Sequence, residues 1–534
     1  MKIVFFAAAS ALALGVVSAP AAAQMTMSGM KMPAPKKVAK HKHKPKNSTK
    51  GSSRKKPATK PTSTKLGPHR HADGRTASGM NMPMPEKGPQ TRTATSGAEP
   101  ADATSGHAMQ HGNMQMPESA GSSTQAVPMD HGSTGAMRGM PMGHADDEMA
   151  MAAALGPYPA ERESSGTAWQ PDNSGGMGAM RMSGDWTFMA HAIVNLVYDH
   201  QSGPRGDDKL FASGMLMGMA QRPLGNGKLQ FKAMLSPDPL MGPRGYPLLL
   251  ASGETANGRD RLIDRQHPHD LFMELSASAS QNIGPKDSVF VYAGLPGEPA
   301  FGPPAFMHRE AILDSPEAPI SHHWLDSTHI SFGVVTAGIV LDSVKVELSR
   351  INGREPDQHR WNIETGPLDS TAVRLSWNPT AALALQASWG HFTDPEQLEP
   401  GIDQKRLSAS ALYARELAPG WKFAGTLAWG RKTIEHHSDD AVAAEASVKH
   451  SAWTLFGRAE MTQNRELLAG VEHGPAYRVG KVSVGAIRDF PIANHLLLGA
   501  GGLFALNFVP DALAPLYGSS EPTGLMGFVS LKLN

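Results

Sequence analysis

The sequence predicts an all-β protein: an antiparallel transmembrane β-barrel of about sixteen strands, preceded by a disordered tail rich in Met and His. Two observations carry the barrel. From residue 166 onward apolar and polar residues alternate with period two, which gives each strand one apolar and one polar face. Along the same stretch short turns alternate with long loops, as in a barrel with turns at one rim and loops at the other. A third observation sets the tail apart. Residues 25–151 hold sixteen methionines and eight histidines among Gly, Ser, Pro and Lys, with little else that could form a core.

The first residues read as a secretory signal. Lys2 is a short positive region, Ile3 to Val17 is apolar but too short to span a bilayer, and Ala21-Ala22-Ala23 precedes Gln24 as a cleavage pattern. The expected domains are a signal peptide at 1–23, a disordered metal-binding tail at 24–165 and an outer-membrane barrel at 166–534. The 534 residues include no cysteine, so neither disulfides nor a lipoprotein anchor is expected. No stretch of eighteen uninterrupted apolar residues follows the signal, which excludes a transmembrane helix. The net charge of +1 says little as a total, but Lys31 to Arg75 is strongly basic. Such a run reads as a solvated arm that can touch anionic lipid headgroups. Export makes nucleic acid an unsuitable partner.

The dense part of the tail offers metal ligands at His107, Met109, His111, Met114, Met116, Met129, His131, Met137, Met140, Met142 and His144. M-x-M pairs recur at Met25/Met27, Met82/Met84, Met114/Met116 and Met140/Met142, which argues against accident. A thioether is a soft, neutral ligand suited to Cu(I), and imidazole suits Cu(II) and Zn(II). The expected cofactors are therefore copper ions, Cu(I) on Met and Cu(II) on His. Silver would fit the same thioethers, and nickel or zinc the same imidazoles.

The strands follow in order. Val344, Val346 and Leu348 alternate with Lys345, Glu347 and Ser349; Val373, Leu375 and Trp377 alternate with Arg374 and Ser376. Leu383, Leu385 and Ala387, then Leu531 and Leu533, repeat the pattern. Tight turns are expected at 224–227, 284–287, 341–343, 378–380, 419–420, 449–451 and 492–494. Long loops are expected near 200–208, 237–266, 296–325, 351–368, 393–403, 434–440, 465–476 and 510–522. Seven turns and eight loops make sixteen strands. Lys345, Glu347, Arg374 and Arg406 are expected to face the lumen as pore polarity.

Two adjacent loops hold the densest chemistry. The first ends in His267, His269 and Asp270; the second contains His308, Glu310, His322, His323 and Asp326, with His329 beyond it. The second is the third long loop. By analogy with sixteen-stranded porins it is expected to fold into the lumen, where these residues would line a pore or relay metal. The alternative is that they pin the loop to the barrel wall by salt bridges and hydrogen bonds. His436 to Asp440 is expected to be a solvated patch. The sequence has no nucleophile elbow, Walker loop, dinucleotide fingerprint or H-E-x-x-H helix, and the protein is not expected to be an enzyme.

Met129-Asp-His131-Gly and Met140-Pro-Met142-Gly-His144, behind a secretory signal and ahead of a barrel, resemble the copper resistance protein B family of outer-membrane proteins. The barrel half lacks the tryptophan-rich opening strands of that family. RQHPHDLFMELS at 265–276, SHHWLDSTHISFG at 321–333 and the ending from Phe508 to Asn534 look like porin-like proteins that accompany metal-resistance systems in Gram-negative bacteria. The resemblance implies an outer-membrane barrel with a periplasmic copper-binding tail, acting in copper resistance by sequestration or export. Its partners would be outer-membrane lipids, metal ions and periplasmic copper-handling proteins. Two other readings stand beside it: a general or solute-selective porin with a spacer tail, and a soluble periplasmic metal store.

Overall fold

Period-two sequences can bury either face, and exposure decides which. The computed structural model describes residues 153–176, 178–471 and 474–533. In its strands the polar face is the buried one. Lys345 and Glu347 are 0 and 1 % exposed, whereas Leu348 is 51 % and Val484 60 % exposed. A water-soluble sheet would hide those leucines and valines. An exposed apolar belt around a polar interior is the arrangement of a barrel solvated by lipid. Of the described residues, no helix is long and apolar enough to cross a membrane.

The strands are β1 (Ala179–Ser183), β2 (Trp186–Gln201), β3 (Asp208–Leu224), β4 (Gly227–Leu235), β5 (Tyr246–Thr255), β6 (Arg261–Gln266), β7 (Phe272–Asn282), β8 (Asp287–Gly294), β9 (Val334–Leu341) and β10 (Val344–Ile351). They continue as β11 (Ser370–Thr380), β12 (Leu383–Phe392), β13 (Gln404–Ala418), β14 (Trp421–Ile434), β15 (His437–His450), β16 (Trp453–Asn464), β17 (Tyr477–Ala493), β18 (Leu496–Phe508) and β19 (Thr523–Leu533). Sixteen of these form a closed antiparallel barrel, β2-β3-β4 followed by β7 through β19. It closes where β19 pairs with β2, Leu533 opposite Ala192 and Gly524 opposite Gln201. β1 continues along the same edge of β2, with Ala179 opposite Ala190. The two ends of the barrel chain thus share one strand position, which leaves neither as a free edge.

Six of the seven expected turns overlap joints and the one expected at 378–380 lies within the end of β11; the joints are at 225–226, 283–286, 342–343, 381–382, 419–420, 451–452 and 494–495. Three lie a residue or more beyond their expected places. For two of these the register shifts just before the turn, between Trp377 and Thr380 and between Pro491 and Ala493, and the extra residue carries the strand further. Trp186, Trp377, Trp421 and Trp453 gather at the turn rim, where amphipathic rings suit the lipid headgroup level. One expected long loop is absent. The segment 434–440 is a two-residue turn, because β15 already begins at His437. Arg431 pairs with Asp440 at 2.8 Å, and the Thr433 and Ser438 hydroxyls meet at 2.8 Å. His436 and Ser438 are exposed, as expected of a solvated patch, but residues 437–440 are cross-strand partners and Asp439 is buried with Arg465 at 2.8 Å.

Three segments fill the lumen. The first is 153–176, at the turn rim. Ser280 and Ser288 hydroxyls donate to the carbonyls of Ala154 and Leu155 at 2.7 and 2.6 Å. Trp169 stacks edge-on with Tyr158 and lies under the Lys345 ammonium. The boundary expected at residue 166 falls inside this packed segment.

The second insert is the connection 236–271, which folds β5 and β6 into a hairpin of its own. Leu248, Leu249 and Leu250 are fully buried against Phe211, Phe456, Ile487 and Leu503 of the wall. The third is the connection 295–333 between β8 and β9, anchored by charge. Arg309 makes two 2.7 Å bonds to Glu445 and one of 2.5 Å to Asp326. Lys481 pairs with Glu317, and Lys532 with Asp314. Trp324 packs on Ala428, Ala441 and Ala443. A Cβ on Gly430 would collide with the Trp324 backbone, so the wall needs glycine there.

Candidate functional site in the barrel lumen

The two histidine-bearing connections are neighbours in sequence, and folding into one lumen makes their imidazoles converge. His267 and His269 come from the end of the second insert. His322 and His323 lie on a one-turn helix, His322–Leu325, in the third, and His329 follows it. Ring centres are 5.7 Å apart for His267 and His322, 5.6 Å for His267 and His323, and 5.4 Å for His322 and His323. His329 stands 5.1 Å from His269 and 5.2 Å from His322. All five are buried.

Four of the rings are oriented through Nδ1, and His323 Nδ1 stands 3.9 Å from Glu355. His269 Nδ1 donates to Asp238 at 2.8 Å, His322 Nδ1 to Asp326 at 2.8 Å, and His329 Nδ1 to the Asp326 carbonyl at 2.6 Å. His267 Nδ1 lies 3.4 Å from the Pro268 carbonyl and 3.3 Å from Glu254. An ionised carboxylate and a carbonyl only accept, so Nδ1 carries the proton and a neutral ring presents a bare lone pair at Nε2. The Nε2 atoms of His267, His269 and His329 have no hydrogen-bond partner among the described residues.

Burial holds His267 and His329 well below the ordinary histidine range, helped by the Arg360 charge for the first and by His269 for the second. Burial also lowers His322, against the opposing pull of Asp326. His323 behaves differently. Burial would lower it, but the Glu355 carboxylate outweighs that and raises it. Asp326 would be raised by burial, and the Arg309 guanidinium beside it pulls it below the carboxylate range.

The other expected site residues lie apart from the cluster. Asp270 accepts from Arg360 at 3.1 Å, and Glu310 accepts from the Gly175 amide at 3.3 Å. His308 sits in a seam of buried methionines, its Nε2 3.4 Å from the Met234 sulfur. Met215, Met217, Met234 and Met273 form that seam with Ile330 and Phe332. A cavity of about 50 Å³ joins the seam to the cluster, lined by Met215, Met307, His267, His269 and Asp238 among others. It has room for more than one water-sized occupant. Asp238, Glu254 and Glu355 were not among the sequence candidates. Asp238 and Glu254 lie 31 and 13 positions before the histidines they meet, within the same insert, and Glu355 on the next connection, and nothing local in the sequence marks them as histidine partners. The tail ligands His107, Met109, His111, Met114, Met116, Met129, His131, Met137, Met140, Met142 and His144 lie outside the described residues.

His308 carries an acid-sensitivity prediction. Burial, with the charges of His191 and Lys232, pushes it down to about 3, from an ordinary value of about 6.5. Between those values the released insert binds a proton that the packed insert does not, so the packed form loses stability as pH falls below about 6.5. Glu298, pushed up to about 8 by burial, acts with the opposite sign, so a comparison of variants is needed. Amide exchange of residues 300–312, corrected for intrinsic rates, is expected to rise from pH 7 to pH 4.5 more in the wild type than in His308→Met. Equal rises in the two proteins would contradict the assignment.

No protein-family model matches the chain, and no curated protein matches it. Among solved structures it is similar to OmpF of Salmonella typhi in complex with daunomycin, with 10% identity over 66% of this chain and 100% of that one and a TM-score of 0.43. It is similar to the outer-membrane expressed OmpT of Vibrio cholerae, with 9% identity over 66% and 100% of the two chains and a TM-score of 0.37. It is also similar to the anion-selective porin of Comamonas acidovorans, with 11% identity over 65% and 99% and a TM-score of 0.37.

Proposed function

We propose that this chain is a porin-type outer-membrane barrel that passes small polar solutes, with the lumenal inserts setting what passes. One observation carries this reading: a closed sixteen-stranded sheet with its charged face inward and its apolar face outward. Such a wall encloses a polar route through lipid. The inserts narrow that route, and their ion pairs give it fixed charge of both signs. The expected conductance is accordingly well below that of a sixteen-stranded barrel with an aqueous channel.

A second reading, copper handling, is favoured by the soft-ligand seam. Met215, Met217, Met234 and Met273 lie on or beside the inner wall, and the cavity that Met215 borders with Met307 reaches His267 and His269. Together with the Met/His composition of residues 25–151, this supports a lumen that handles Cu(I) and Cu(II). Methionine seams also serve as ordinary packing.

One experiment addresses both readings. The full chain, refolded into planar bilayers, is expected to give discrete small channel steps in KCl. Bilayers that stay sealed at every voltage would sink the transport reading. Copper added on one side should reduce or prolong those steps if copper lodges in the lumen. Steps that copper leaves unchanged would count against the second reading alone.

A further inference from the structure

Four buried polar atoms around the lumenal cavity have nothing to bond to. Ser213 Oγ comes from the wall strand β3, Gln266 Nε2 from the end of β6, and the Nε2 atoms of His267 and His269 from the residues just beyond it. None has a hydrogen-bond partner among the described residues, and the four residues are only 7, 4, 6 and 7 % exposed. All four line the one cavity of about 50 Å³ that lies between the wall, the second insert and the third. We propose that this cavity binds a small uncharged polyol of about the size of glycerol. That names a solute class for the transport reading, and it rests on that reading for the solute's route only.

Three features select this chemistry. The first is the mixture of unpaired groups. His269 Nδ1 donates to Asp238 at 2.8 Å, and His267 Nδ1 faces the Pro268 carbonyl at 3.4 Å. As neutral rings, both therefore offer an acceptor at Nε2, and burial keeps His267 neutral at pH 7. The Gln266 amide nitrogen only donates, and the Ser213 hydroxyl does either. A hydroxyl both donates and accepts, so a molecule carrying several of them can meet every member of the set. Buried polar atoms are ordinarily paired, and four orphans around one cavity call for an occupant.

The second feature is charge. Asp238 lines the cavity, but its oxygens are already taken. Oδ1 accepts from the Gly214 amide at 3.2 Å, and Oδ2 accepts from the His269 amide at 3.3 Å and from its ring at 2.8 Å. A cation thus finds no open carboxylate there. An anion finds no Lys or Arg among the described lining residues, and it meets the charge of Asp238. Burying an unpaired charge is costly, so the occupant is neutral.

The third is the rest of the lining. Ile193, Met215 and Phe306 border the same space. An apolar wall with a few convergent polar groups is the usual lining of a small-molecule site. A polyol sets its C–H edges against such a wall, whereas water has no partner there and urea has no C–H to offer. The cavity has room for roughly three to five water-sized positions, which suits a short chain of hydroxylated carbons and not a sugar ring.

The test uses the full chain refolded in detergent micelles, with glycerol as the probe and saturation-transfer NMR as the readout. Irradiating the aromatic protons of the protein, which the detergent lacks, is expected to transfer saturation to the C–H protons of glycerol. The double variant Ser213→Ala/Gln266→Leu removes two partners, and glycerol affinity is expected to fall about 10-fold or more. Equal transfer in the two proteins, or none in either because water alone fills the cavity, would overturn the proposal. Stronger binding of urea than of glycerol would overturn the choice of a polyol. If the double variant fails to give the heat-modifiable band of a folded barrel, Ser213→Val carries the test. A β-branched residue suits the strand, removes the hydroxyl and crowds the cavity, and is expected to weaken glycerol binding roughly 5-fold. Unchanged affinity in that variant would likewise remove the site. Channel steps in KCl, recorded on the same preparations, report on transport separately. Steps without glycerol binding would sink this site and leave the porin-type reading standing, and glycerol binding with sealed bilayers would do the reverse.

Discussion

Replacing Arg309 by alanine is expected to release the third insert from the barrel wall and raise the single-channel conductance. Arg309 is fully buried and holds Glu445 through two 2.7 Å bonds and Asp326 through one of 2.5 Å. Removing it strands two carboxylates in the lumen, with Arg458, 3.1 Å from Glu445, as the nearest remaining cation. Breaking a buried pair from one side costs about 3–5 kcal/mol. The loss falls on the insert, because the barrel itself is held by its ladder of strand pairs. Conductance and gating noise should therefore rise while the heat-modifiable band on SDS gels persists. Lysine is not expected to rescue, since it cannot make the paired fork. Arg309→Met with Glu445→Gln is not expected to recover the closed state, because it leaves Asp326 without its guanidinium and Arg458 without its carboxylate. An insert as protected in Arg309→Ala as in the wild type would show that the ion pairs do not anchor it.

The outward face gives the second large effect. Leu427 lies at the middle of β14 and is 51 % exposed, which places it near the bilayer midplane. An arginine there costs about 2–4 kcal/mol, a factor of roughly 30 to 700 in folding equilibrium. The same face already carries Arg431, four residues nearer the loop rim and paired with Asp440 at 2.8 Å. Near the interface the cost falls to about 0–1 kcal/mol, so Arg431 is tolerated where Leu427→Arg should not be. Leu427→Arg is expected to sharply reduce the folded fraction in lipid vesicles, while a charge added at Thr433 has little effect. Similar folding yields for the two variants would mean that this face does not meet lipid.

Rim polarity and lumenal polarity look alike in a sequence, and only their partners separate them. His437, Ser438, Asp439 and Asp440 read as loop because they are polar and adjacent. They are strand because each has a partner across β14. Tyr246 to Ala251 falls in an expected long loop, yet a run of Pro and three leucines inside a loop is itself a signal of burial. That signal was present and outweighed by the turn residues on either side. The histidines were legible as residues but not as one cluster. His267 and His329 are 62 positions apart, and their shared environment depends on both inserts entering the same lumen.

By itself the sequence determined the alternation, the strand number, the side of the barrel that carries the loops and the candidate histidines. Those features are local: a period of two, a turn residue or a ligand type is written in a few consecutive positions. Only the tertiary structure decided what occupies the lumen. It packed residues 153–176 against β8 and β9, buried a leucine hairpin against the inner wall and locked Arg309 to Glu445 across 136 positions. It also turned the Nδ1 atoms of His269 and His322 to carboxylates, and three Nε2 atoms remained unpaired. These contacts join segments distant in the chain, so their energies depend on a closed barrel that brings the segments together, and no local pattern of residues encodes them.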